Sequence, residues 1–271
     1  MMQVQKIDKN VTFNAGLSKQ IKTEISCCDV KLIENYFSKK GIDSNFKNNK
    51  IIAWCSLKCF ELISEFNKRF KLNLGIPNGI FTEDFSKLRT QNQNALGLTN
   101  FAPTYLYKDK TVITPEKTIF FNSNDIKWND IDSIADKCYE NGILTTDFFL
   151  EHFFHEFMHV IHESNLINRL SGEKVISFLQ KLNDLTTIEN FQKNYAKSLS
   201  KICHYAASQP MEAIACDLSK RGLTNIDKEN LTVNGNLFYS SPYNKKIFLT
   251  QIQDTKTNKV LRQIWNGKFE K

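Results

Sequence analysis

The spacing of apolar residues divides this chain into helical and strand-like stretches. In residues 51–70, Ile52, Cys55, Cys59, Phe60, Ile63, Phe66 and Phe70 recur at intervals of three and four, the signature of one buried helical face. Further helices are predicted at 29–40, stopped by Gly41, at 125–140, stopped by Asn141-Gly142, and at 171–182, 187–207 and 210–221. Pro210 suits a first helical position, and Gly222 an end. Between 79 and 124 the pattern changes to short β-branched and aromatic runs at 105–107, 111–114 and Thr118–Asn122, punctuated by Gly79, Gly97, Pro103 and Pro115. Residues 2–7 alternate, and in the tail 231–233 and 237–239 flank Asn234-Gly235, a hairpin signal. The pattern predicts an α+β fold, a small mixed sheet packed on a central helix with several additional helices. It also predicts three segments: an accessory stretch at 1–48, a main domain at 49–225 and a C-terminal extension at 226–271.

One helical pattern differs from the rest. Residues 151–163 read E-H-F-F-H-E-F-M-H-V-I-H-E and hold four of the five histidines. On a helix His155 and His159 fall about 40° apart, with His152 and His162 inside the same sector of about 80°. Leu150, Phe153, Phe154, Phe157 and Ile161 take the opposite side. This division predicts a helix whose back is buried in a core and whose front lines a site. Thr145 or Thr146 is placed to cap it.

Composition narrows the classes. With 41% hydrophobic and 24% charged residues in 271, the chain has the make-up of a folded globular protein, and ten glycines with five prolines are few for an all-β sandwich. A net charge of +7 raises nucleic-acid binding. Yet only Arg69, Arg89, Arg169, Arg221 and Arg262 carry the guanidinium that reads phosphates and base edges, and the lysines are scattered among Asn and Ile as on a solvated surface. A lysine-rich nucleic-acid binder is therefore the weaker alternative. Seven cysteines without a C-x2-C pair predict free thiols in a reducing compartment. Residues 1–22 hold no secretory apolar region and no run reaches the roughly 18 apolar residues of a membrane span, so the expectation is a cytoplasmic or particle-associated chain with no membrane partner.

The chemistry lies in His155-Glu156-Phe157-Met158-His159. Two imidazoles one turn apart can reach one metal ion, and the carboxylate after the first points beside the open coordination position. A catalytic zinc needs a third protein ligand. Neither His152 nor His162 can supply it, because three successive turns of one straight helix do not converge tetrahedrally on one ion. Glu212, early in a helix of small and apolar residues, is the better candidate. A second donor beside the metal is expected for the oxyanion, and His204 and Tyr205, just ahead of Glu212, are the candidates.

These motifs resemble the zincin metallopeptidases, specifically the gluzincin group, in which H-E-x-x-H supplies two zinc ligands and a glutamate on a later helix the third. The resemblance implies a zincin-like fold and a Zn2+ endopeptidase acting on a peptide or protein. It makes His155, His159 and Glu212 the ligands and Glu156 the general base. It further implies a supporting role for Asp217, although that residue lies five rather than four positions after Glu212, and it makes Thr118–Asn122 (Thr118, Ile119, Phe120, Phe121, Asn122) the edge strand that binds extended substrate. His162 is a candidate for orienting a ligand or lining the cleft. The metzincin pattern has no match at Ile161 to Asn165. A zincin-shaped binding or structural protein without turnover is the alternative of a different class.

Overall fold

The computed structural model describes residues 17–87, 95–100, 104–105, 112–114, 116–123, 128–234 and 255–269. The N-terminal alternation at 2–7 and the second hairpin arm at 237–239 lie outside them.

The chain enters through α1 (Lys19–Cys27), capped by the Ser18 hydroxyl, and α2 (Val30–Lys39), capped by Asp29. The sequence pattern had not announced α1. β1 (Asp43–Asn45) leads into α3 (Lys50–Phe70), which Lys71 ends in a left-handed turn. β2 (Gly79–Glu83), β3 (Gly97–Asn100), the short pair β4 (Thr104–Tyr105) and β5 (Val112–Thr114), and β6 (Thr118–Asn122) follow. Then come α4 (Ile131–Glu140), α5 (Glu151–Arg169), α6 (Gly172–Leu182), α7 (Leu185–Leu199), a 3-10 turn at Tyr205–Ala207 and α8 (Pro210–Leu223). β7 (Ile226–Asp227), β8 (Thr232–Val233) and α9 (Thr255–Trp265) close the described chain. The architecture is α+β.

The main sheet has the order β1-β2-β6-β3, with β1, β2 and β6 parallel and β3 antiparallel to β6. This corrects the expectation that Thr118–Asn122 forms the edge. It is an internal strand, paired on both sides, and Ile119 and Phe121 are fully buried. Among the described residues the edges are β1 and β3, and β3 is the one beside α5. Its short, glycine-headed sequence carries too little strand signal to be found from pattern alone, and β1, Asp-Ser-Asn, carries less.

The sheet lies on α5. The Phe121 and Phe153 rings meet at 4.7 Å, and Phe153, Phe154 and Phe157 are no more than 1% exposed. Truncating one such side chain to alanine would cost about 3–5 kcal/mol. On the other flank α8 packs along α5 closely enough that a Cβ on Gly222 would stand 2.4 Å from the Phe154 ring. The helix is anchored at its start in a way opposite to the one expected. The Thr145 and Thr146 hydroxyls and N–H groups all donate to the buried Glu151 carboxylate, at 2.5 to 2.9 Å, so the first helical residue holds the loop.

One other expectation changes. The predicted helix at 187–207 breaks at Ser200, and the Tyr205 N–H donates to the Gly142 carbonyl, so residues 200–207 bend back beside α8. β8 pairs antiparallel with β7, a pairing the sequence pattern did not announce. One apolar cluster runs from Ile21 in α1 to Phe269 beyond α9 and takes side chains from all three predicted segments. Among the described residues no helix is long and apolar enough to cross a membrane.

Candidate metal centre

Three elements build the site: α5, the start of α8, and β3. His155 and His159 occupy successive turns of α5, and Pro210 at the first position of α8 sets Glu212 in its first turn, where the helix dipole favours a carboxylate. The His155 Nε2 lies 3.0 Å from Glu212 Oε2 and 3.1 Å from His159 Nε2, and His159 Nε2 lies 3.3 Å from Glu212 Oε2. All three residues are buried. A tetrahedral ion with bonds of about 2.0–2.1 Å needs ligand atoms about 3.3 Å apart, so this triangle has the size of one face of such a coordination shell. Two imidazole nitrogens and a carboxylate oxygen can hold a metal ion here, and no further group of three candidate ligands occurs among the described residues.

The electrostatics agree with a site that draws in a cation. Burial works against charge on His155, but the hydrogen bond and charge of Glu212, joined by Glu156 and Glu151, lift its pKa to about 9. Burial likewise opposes the Glu212 carboxylate, yet the charge of His159 and hydrogen bonds from both histidines hold it well below the usual carboxylate range. Bound metal replaces these protons, so binding would release protons to solvent.

Glu156 faces β3. Its Oε2 accepts from the Thr99 hydroxyl at 2.7 Å, and the same hydroxyl reaches the Glu156 carbonyl at 3.2 Å. Gly97, two residues away on the same face of the strand, leaves room for that side chain. A Cβ there would stand 2.8 Å from Glu156 Cγ and 2.9 Å from Oε1. Of the two oxyanion candidates, Tyr205 is at the site. Its ring lies 6.0 Å from that of His155, and burial with the charges of Glu212 and Glu156 keeps the phenol protonated far above its ordinary range. His204 instead lies exposed, with its ring over Gly142.

The chain matches no known protein family, no curated protein and no solved structure. What the site can do follows from its own atoms.

The supporting residues differ from those expected. Asp217 accepts from Arg221 Nε at 2.7 Å within α8, both side chains fully buried, and the atom beside His155 Nδ1 is the Cys216 sulfur, at 4.0 Å. His162 turns away to the C-terminal helix. Its Nε2 meets the Ile264 carbonyl at 3.3 Å, its ring stacks on Trp265 at 5.6 Å, and burial lowers its pKa to about 3. His152 is also held neutral, near 3, by burial and by the charge of His155. Four further side chains around the site carry no signal in the motifs: Thr99, Gln209, Cys203 and Cys216. Gln209 Nε2 donates to Glu212 Oε1 at 3.1 Å, leaving Oε2 for the histidines. Gln209 is the N-cap residue of α8 but caps no backbone N–H, so a capping pattern did not announce this contact. Thr99 had no signal either, because only strand pairing brings it to α5.

Proposed function

We propose that this chain is a single-zinc endopeptidase of zincin type, hydrolysing a peptide or protein inside the cell or inside a particle assembled there. The observation that carries the reading is the triangle of His155, His159 and Glu212 atoms with Glu156 held beside it between α5 and β3. Zinc suits two imidazoles and one carboxylate and, when bound, supplies a Lewis acid that makes water nucleophilic near neutral pH.

The protein's own groups do the rest. Glu156 takes a proton from the attacking water and returns one to the leaving amine. Thr99 holds its carboxylate in one orientation, so little reordering is needed at the moment of transfer. Tyr205, a phenol at all working pH, donates toward the developing oxyanion from the rim of the site. β3, with its outer edge unpaired by any described strand, replaces β6 as the strand on which an extended substrate adds. The seven unpaired thiols support a reducing compartment.

The test is a peptide-library digestion with the zinc-loaded protein and with Glu156→Gln. The expected outcome is cleavage that falls about 10²–10⁴-fold in the variant while zinc content stays at one per chain. Cleavage at an unchanged rate in Glu156→Gln, or none by the unmodified protein across the library, would contradict the reading.

A further inference from the structure

The inference here rests on the zinc reading and concerns what steers one ligand. When His155 gives Nε2 to a metal, its Nδ1 carries the proton, and a buried N–H without an acceptor is costly. Metal-ligating histidines usually meet that need with a carboxylate or a carbonyl. Here the side chain that faces Nδ1 is a thiol. Cys216 Sγ lies 4.0 Å away, on the same face of α8 as Glu212 and one turn after it. Cys203 stands beside Cys216, and its sulfur accepts from the Ala206 N–H at 3.3 Å.

Both ends of this row of atoms are N–H donors. The His155 Nδ1–H can only donate to Cys216, and the Ala206 N–H can only donate to Cys203. Each sulfur thus takes one N–H, and each thiol proton is left to point elsewhere. We infer that Cys216 is the positioning residue that fixes the tautomer and ring plane of His155 for the metal. One residue of α8 thus ligates the ion, and another, a turn later, aims the ion's second ligand.

Charge explains why a thiol stands there. Glu212, Glu156 and Glu151 already act electrostatically on His155. A further buried carboxylate would add repulsion among them, whereas a neutral sulfur accepts the proton without adding charge. The break in the helix after Leu199 is what brings the irregular 200–207 stretch, with Tyr205 and Cys203, to this side of α8.

Zinc affinity by chelator competition would be measured for the unmodified protein, Cys216→Ala and Cys216→Ser, with melting by circular dichroism as a check of folding. The expected result is a loss of about 10–100-fold for alanine and a smaller loss for serine, which keeps an acceptor. Equal affinity in Cys216→Ala, or a serine variant weaker than alanine, would overturn the role and leave the zinc reading standing. An unmodified protein that takes up no zinc would overturn both. A second measurement needs no variant. In the ¹⁵N spectrum of the zinc-loaded protein, His155 should carry a slowly exchanging proton on Nδ1. Zinc bound through Nδ1, or a proton exchanging as fast as that of an exposed imidazole, would contradict the inference.

Discussion

His155 and His162 lie two turns apart on one helix, both buried, and they have opposite electrostatics. His155 faces the first turn of α8 and meets Glu212, which lifts its pKa to about 9. His162 faces α9, meets a backbone carbonyl and an indole, and stays neutral with a pKa near 3. The helix presents the same residue type in both places. What decides the role is the group on the element packed opposite, a carboxylate in one case and a packing surface in the other.

That contrast can be broken from either side. The largest effect belongs to metal binding: His155→Asn should weaken zinc by about 10²-fold or more, taking roughly a quarter of the 10–16 kcal/mol of a four-ligand zinc site per ligand lost. His162→Asn should leave zinc affinity unchanged within about twofold, and a matched loss in both variants would erase the distinction. Next comes pH. Below about pH 9 one proton must leave His155 for each ion bound, so zinc affinity should rise about tenfold per pH unit over the neutral range, read by competition at fixed ionic strength. A flat profile would show that Glu212 does not hold a proton on that ring.

Stability should follow the reverse order. His162→Ala removes the stack on Trp265 and the bond to Ile264, and should cost about 2–3 kcal/mol in urea unfolding while metal content is retained. The smallest effect concerns Glu163, the next residue of α5. Burial and the neighbouring Glu116 push its pKa up to about 9, and its Oε2 accepts from the Lys117 N–H. A folded pKa raised above the unfolded value gives stability that is full below about pH 4.5 and is lost as pH rises through about 9. Glu163→Gln, neutral at all pH, should therefore raise the melting temperature at pH 8 by a few degrees, at about 2–4 °C per kcal/mol, and flatten the alkaline decline. An unchanged alkaline limb would show that Glu163 is ionised in the fold.

The same contrast separates what the sequence made legible from what it hid. The imidazole face of α5, its phenylalanine back and the early glutamate of α8 are local patterns, and each could be read along the chain. The partners come from pairing and packing. Thr99 reaches Glu156 because β3 runs antiparallel beside β6, and the edge of the sheet could not be assigned while β3 and β1 were too short and polar to register as strands. Tyr205 and Cys203 depend on a helix break that apolar periodicity did not signal, and α9, which claims His162, has a pattern that predicted only a mixed tail. The resemblance named Asp217 as support although its spacing of five from Glu212 did not fit, and four residues along the helix is Cys216, the position that shares the Glu212 face.

The central claim is that His155, His159 and Glu212 hold one metal ion with a position left open. X-ray absorption at the zinc edge, on protein purified without added metal and quantified for metal content, tests it most directly. The expected spectrum shows one zinc per chain with four nitrogen and oxygen neighbours at about 2.0–2.2 Å, two of them with the outer scattering of imidazole, and a fourth exchangeable with small anions. Substoichiometric metal, a sulfur neighbour at about 2.3 Å, or a signal unchanged in Glu212→Ala would contradict it.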